Sequence, residues 1–346
     1  MRIRLFLILT LAALLAACGQ PAAPAATPAE PAAPATTPAE PATRKVTLAM
    51  SYFPNVQFAP YYMAAARGYY AEAGLEVIFD YNFESDVVQR VANWPESGVD
   101  FATASGTSTL LARQQGLPVK TVMTLYQQFP IVFFAKSSTG LKSADDLKGK
   151  TVGIPGNFGE SFYGLLALRY ANQFDESAFV VQEIGFTQAQ AVLEDKVPVA
   201  TGYAMNEPVL LRQQGVEVDV LRVADVYNLA ANGIVVSERL IAEAPDVVRG
   251  FVTAALKGLR ATLDNPDEAF EVSLGFIPEA NLGDVELQRQ VLLESLPYWY
   301  SEKTNAEGLG YTDTDLWKAT EQFMRDAGLL ASPVDVAAAF TNEFIR

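Results

Sequence analysis

Residues 45–81 read KVTLAMSYFPNVQFAPYYMAAARGYYAEAGLEVIFDY. Lys45 to Met50 is a short, mostly apolar run that reads as a strand. Pro60 to Ala73 has helical spacing with a proline at its start, and beyond Gly74 the run Glu76 to Tyr81 reads as a strand again. Strand, helix, strand is the unit of an α/β sheet. Working outward, the pattern recurs. Further strands are expected at Phe101 to Thr103, Val119 to Leu125, Ile131 to Ala135, Thr151 to Ile154, Val180 to Ile184, Ala200 to Tyr203, Val218 to Arg222 and Gly233 to Ser237. Helices are expected between many of them, at Ser85 to Trp94, Thr107 to Gln115, Ser161 to Asn172, Thr187 to Asp195 and Glu207 to Gln214. After Ser237 the strand pattern fades into helices at Glu238 to Ala242, Asp246 to Asn265, Pro266 to Gly275, Asp284 to Tyr298, Thr314 to Ala327 and Val334 to Thr341.

This asymmetry predicts two α/β lobes. The first is expected to comprise residues 45–134 and 233–346, the second residues 135–232, with the chain leaving near Ile131 to Lys136 and returning at Asn232 to Ser237. Two crossings make a hinge, and a ligand would lie between the lobes near the C-terminal ends of strands. The helical C-terminal tail is expected to pack on the first lobe.

Composition narrows the function. The 346 residues suffice for two folded units at roughly 150 residues each, and half are hydrophobic. With 25 Lys and Arg against 40 Asp and Glu, the net charge of −15 repels a phosphate backbone, so no nucleic-acid partner is expected. There is no histidine, which removes the common nucleophile pairs, His-ligated metals and the usual general base. A single cysteine, Cys18, can form neither an internal disulfide nor a zinc or iron–sulfur site. Asp145-Asp146 and Asp313-Asp315 lack the loop spacing of a calcium site and read as solvated helix starts, so no metal or cofactor is expected.

At the N-terminus, Arg2 and Arg4 precede an apolar run from Leu5 to Ala17, too short at about 1.5 Å per residue to span a bilayer of about 30 Å. It reads as a secretion signal over residues 1–17. Its end, Leu15-Ala16-Ala17-Cys18-Gly19, resembles the bacterial lipoprotein box, which implies a lipidated Cys18 and a membrane anchor on the extracytoplasmic face. Residues 18–44 are rich in Ala and Pro and repeat Thr-Pro-Ala-Glu-Pro-Ala at residues 27–32 and 37–42. Such a segment favours extended polyproline II and reads as a tether.

Tyr52-Phe53-Pro54-Asn55-Val56-Gln57-Phe58-Ala59-Pro60-Tyr61-Tyr62, then Ala66-Arg67-Gly68-Tyr69-Tyr70 and Glu72-Ala73-Gly74-Leu75-Glu76-Val77, resembles the opening of ABC-importer solute-binding proteins that take thiamine pyrimidine precursors. Gly116-Leu117-Pro118-Val119, the stretch from Ser143 to Gly153, and Gly202-Tyr203-Ala204-Met205-Asn206-Glu207-Pro208 extend the match across most of Lys45 to Val236. The resemblance implies a two-lobed periplasmic-binding-protein fold of type II and no catalysis. Pyrimidine binders carry a histidine shortly after Pro-Asn, where this chain has Phe58 preceded by Gln57. That version looks like the riboflavin-binding RibY-type lipoproteins of flavin importers. The resemblance therefore implies riboflavin as the transported ligand, an ABC permease and its ATPase as partners, and a monomer. The same machinery carrying a formylaminopyrimidine or hydroxymethylpyrimidine is the alternative, and a pyrimidine-synthesising enzyme is a remote one.

A flavin needs ring faces, amides and hydroxyls. Tyr52, Asn55, Gln57, Phe58 and Tyr61 offer these in the first strand-to-helix connection, although Phe53 and one of Tyr61 or Tyr62 could equally pack the core. Ser105 and Thr107 follow a strand and open a helix, where they either hold an oxygen-rich ligand edge or cap the helix. Gly153 to Ser161 forms a Gly-rich turn without the Gly-Lys-Ser/Thr ending of a P-loop, and Glu160 would oppose a phosphate. A neutral ligand is therefore expected at Asn157, Phe158 or Gly159, unless the segment is a plain tight turn. Tyr203 and Glu207 carry over from the pyrimidine-binding relatives as ligand residues, with Asn206 beside them. Glu207 would accept from an N–H or hydroxyl, or serve only as a helix-start acid. Trp299 and Trp317 read as core.

Overall fold

Two five-stranded sheets carry the fold of the computed structural model, which describes residues 43–82 and 84–345. The expected secretion signal, Cys18 and nearly all of the expected tether lie outside the described residues. The strands are β1 Arg44–Met50, β2 Leu75–Tyr81, β3 Phe101–Ser105, β4 Val119–Thr124, β5 Ile131–Lys136, β6 Thr151–Ile154, β7 Val180–Glu183, β8 Val199–Tyr203, β9 Val218–Arg222 and β10 Asn232–Ser237. The first sheet runs β2-β1-β3-β10-β4 and the second β7-β6-β8-β5-β9. In each, four strands run in one direction, and the antiparallel strand is the one that arrives from the other sheet: β10 in the first and β5 in the second.

Alternation along β1 explains its burial on both faces. Leu48 and Met50 join a core with Phe101 and Phe251, while Ala49 faces a second cluster of Val87, Val91, Ala102 and Ala104. Phe251 stacks on Phe101 with centroids 3.8 Å apart, which seats the helix Pro245–Asp264 on the first sheet. That helix also packs on Ala59–Ala66, and Gly258 permits the approach: a Cβ there would lie 2.1 Å from the Pro60 carbonyl oxygen. Trp299 and Trp317 are buried, as expected. The helix Thr314–Asp326 packs beside Gly106–Gln114, while Val285–Ser295 also reaches the second lobe at Glu207–Gln213. Among the described residues, no helix is long and apolar enough to cross a membrane.

Several boundaries differ from expectation for physical reasons. The helix expected over Pro60 to Ala73 divides into Ala59–Ala66 and Tyr69–Glu72, because Gly68 adopts a left-handed φ of 72°. β3 extends to Ser105 through its pairing with Asn232. The helix at the C-terminal end shrinks to Val336–Ala339, since Phe340 becomes extended and bridges to Thr121, whose carbonyl accepts from Thr341 N–H at 2.9 Å. β5 belongs wholly to the second sheet, with Ile131 already opposite Tyr203, so the first crossing precedes β5. Residues 125–130 make that crossing and residues 223–231 the return. They are tied together: Leu125 and Tyr126 N–H groups donate to the Asn232 carbonyl, and Phe129 N–H donates to Asn228 Oδ1 at 2.8 Å.

Candidate functional site

A cleft of about 510 Å³ opens where β1, β3, β6, β7 and β8 end, between the two sheets. The volume lies within the range of small-molecule sites, and the C-terminal edges of parallel strands are where α/β folds place them. On the first-sheet side, Asn55 caps the short turn Val56–Phe58 by accepting from Gln57 N–H at 2.9 Å. This turn aims Gln57 and Phe58 into the cleft before Pro60 starts the helix. Thr103 Oγ1 accepts from Ser51 N–H at 2.8 Å and donates to Ser51 Oγ, joining the ends of β1 and β3.

Amides link the two sides. Tyr126 donates to Gln57 Oε1 at 3.3 Å, and Gln57 Nε2 donates to Asn206 Oδ1 at 2.8 Å across the cleft. Aromatic side chains stand at the rim: Tyr52 from the first side, Phe158 and Phe186 from the second, with Phe158 and Phe186 centroids 6.3 Å apart. Phe186 is 76% exposed, far more than a core ring would be. Tyr61 is 1% exposed and forms part of the cleft wall, where burial drives its hydroxyl pKa well up.

Glu207 starts the helix Glu207–Gln213, and its Oε2 accepts from Tyr203 N–H at 2.8 Å. Burial pushes its carboxyl up to about 7, an effect the backbone N–H bonds of Tyr203 and Glu207 only partly offset. Tyr52 is raised as well, by burial first and then by the nearby Glu207 charge. Among the described residues no Lys or Arg lines the cleft, which contains the carboxylates Glu160 and Glu207.

The structure thus brings Tyr52, Asn55, Gln57, Phe58, Tyr61, Phe158, Tyr203, Asn206 and Glu207 together on one cleft. Three expected residues fall elsewhere. Ser105 and Thr107 are sealed beneath the surface, where their hydroxyls bond to Glu160 and Ser105 caps Gly106–Gln114 by accepting from Ser108 N–H. Asn157 turns outward and donates its amide to Glu183 at the end of β7. Sequence reading missed Ser51, Thr103, Ser108, Tyr126, Phe186 and Gln188 as lining residues. Ser51 directly follows β1, Phe186 lies between the end of β7 and the helix Gln188–Leu193, and Gln188 starts that helix, positions that could have marked them. Tyr126 lies in a crossing segment and gave no such sign. Tyr62 packs in the core, stacked on Phe276, whereas Phe53 is 53% exposed. Asp146 and Asp313 sit at helix starts, as expected, and no cluster of potential metal ligands occurs among the described residues.

Comparison with known proteins agrees with this geometry. The family profile described as NMT1/THI5 like matches residues 55–269. The chain is 66% identical over 338 residues to the riboflavin-binding protein RibY of Chloroflexus aurantiacus, covering 96% of this chain and 94% of that one. It is 26% identical to the formylaminopyrimidine-binding protein of Halalkalibacterium halodurans, over 86% of this chain and 89% of that one. The solved aliphatic sulphonate binding protein SsuA of Escherichia coli superposes with a TM-score of 0.66 at 12% identity, over 86% of this chain and 92% of that one, which establishes the fold. Two sheet-and-helix lobes with a cleft at their strand ends have the periplasmic-binding-protein fold, and the 66% identity to a binding protein makes the chain a binder rather than an enzyme. The chain belongs to the NMT1/THI5-like family.

Proposed function

We propose that this protein is the solute-binding component of an ABC importer and that it closes around riboflavin and passes it unaltered to the permease. The observation that carries this reading is the 66% identity to a riboflavin-binding relative across both sheets and the cleft between them. The chemistry of the cleft supports it. Tyr52, Phe158 and Phe186 supply ring faces for a flat heteroaromatic, and Gln57, Asn206 and Glu207 supply donors and acceptors for its uracil-like edge. Ser51, Thr103, Ser108 and Gln188 offer hydroxyls and an amide to a ribityl chain.

The lobes of this reading are the two sheets with their helices, and residues 125–130 and 223–231 form the hinge. Ligand contacts made from both sides only in the closed form shift the population toward closure. Lipidated Cys18 and the tether would hold a monomer at the extracytoplasmic membrane face. Titrating riboflavin with micromolar protein should quench flavin fluorescence to a one-to-one endpoint. Absence of quenching removes riboflavin as the ligand and leaves the fold standing. Competition calorimetry against a formylaminopyrimidine separates the two vitamin-precursor classes, with riboflavin expected to win.

A further inference from the structure

Glu160 belongs to the first turn of the helix Gly159–Asn172, which packs on the second sheet. Its partners belong to the first: Thr107 Oγ1 donates to Glu160 Oε1 at 2.7 Å and Ser105 Oγ donates to the same oxygen at 2.9 Å. Ser105 Oγ also accepts from Ser108 N–H at 3.0 Å, capping Gly106–Gln114. Ser105 and Thr107 are both 0% exposed and Glu160 is 5% exposed, so the contact is almost sealed from water. One lobe's carboxylate is therefore seated on the N-terminus of a helix from the other lobe.

Helix dipoles meet at Glu160. Two helix N-termini, that of Gly106–Gln114 and that of Glu160's own helix, direct partial positive charge at it. The start of Gly106–Gln114 borders the cleft at Ser108, and a hydroxyl-capped helix start is where a ligand's phosphate or sulfonate would ordinarily be received. Here the chain's own carboxylate takes the hydroxyl donors, and among the described residues no Lys or Arg lines the cleft to attract a second anion.

We infer that Glu160 is a specificity-determining strut: it joins the lobes through Ser105 and Thr107 and, by filling that seat with its own charge, restricts the cleft to uncharged ligands. The inference uses the riboflavin reading only to choose probes. Affinities for riboflavin and for its 5′-phosphate are measured with the wild-type chain, Glu160→Gln and Thr107→Val.

The wild type is expected to prefer riboflavin over its phosphate by about a hundredfold. Glu160→Gln should narrow that ratio by about tenfold or more, because a like charge has been removed from a poorly solvated site. Thr107→Val keeps the charge but loses the 2.7 Å bond, so riboflavin should bind several-fold more weakly with the preference retained. An unchanged ratio in Glu160→Gln overturns the inference. So does a Thr107→Val protein indistinguishable from wild type, which remains decisive if Glu160→Gln does not fold. If wild type ignores riboflavin, the ligand reading fails by itself. The ratio is then measured with 4-amino-5-hydroxymethyl-2-methylpyrimidine and its phosphate, and the same narrowing or its absence decides the role of Glu160.

Discussion

Glu207 holds a carboxyl that titrates near pH 7 because burial disfavours its charge. A folded-state pKa above the unfolded value means that the native state binds the proton more tightly. Its contribution to stability is thus complete below about pH 4.5 and is lost as pH rises through about 7. Glu207→Gln should flatten the pH dependence of unfolding free energy over that interval, by an amount on the order of 3 kcal/mol reduced by whatever solvent reaches the cleft-facing edge. Chemical denaturation at pH 5 and pH 8 checks this; an equal pH slope in both proteins contradicts it. Ligand affinity should move the other way, because the ionised carboxylate is the form that accepts from a flavin N–H. Binding should strengthen through pH 7 in wild type and stay level in the variant. Residues at this scale were readable where a site and its scaffold share one stretch of chain, as with Asn55, Gln57 and Phe58. They were unreadable where the deciding partner is far away: Ser105 and Thr107 are claimed by Glu160 more than fifty positions on, and Asn157 by Glu183.

Strands were legible because hydrophobic period and turn residues are local properties, and each expected strand corresponds to one in the structure. What was not local went unread. The length of β3 depends on Asn232, and the fate of Phe340 depends on the edge of β4. Helix-to-helix approach is equally non-local, as two glycines of the helix Pro245–Asp264 show. In an exposed helix interior, Gly→Ala gains about 1 kcal/mol from propensity. At Gly258 the new Cβ would lie 2.1 Å from the Pro60 oxygen and 2.8 Å from Ala64 Cβ, so helix Ala59–Ala66 must shift. Gly258→Ala should lose about 1–3 kcal/mol, several degrees in Tm. At Gly250 the nearest atom is Ala73 Cβ at 3.2 Å, and Gly250→Ala should leave Tm unchanged or raise it slightly. Thermal unfolding of both decides the point: a Gly258→Ala protein as stable as wild type would mean that the two helices are not packed this closely.

Closure belongs to the whole molecule, because no single lobe contains the site. The described structure carries contacts that exist only when the lobes meet, such as the Gln57 amide on Asn206 Oδ1, between residues 149 positions apart. Such a contact adds to the stability of the closed form whether or not it touches ligand. Its loss lowers the fraction of molecules competent to hold the ligand, and the apparent Kd rises in proportion. Gln57→Ala and Asn206→Ala should therefore each weaken riboflavin binding, and the double variant should weaken it by less than the two losses combined. The expected coupling is about 0.5–3 kcal/mol, the range for residues in direct contact. Calorimetric affinities of the four proteins measure it. Strict additivity would show that the two amides never meet in the bound state, and the ligand would then be held by lobes further apart than these.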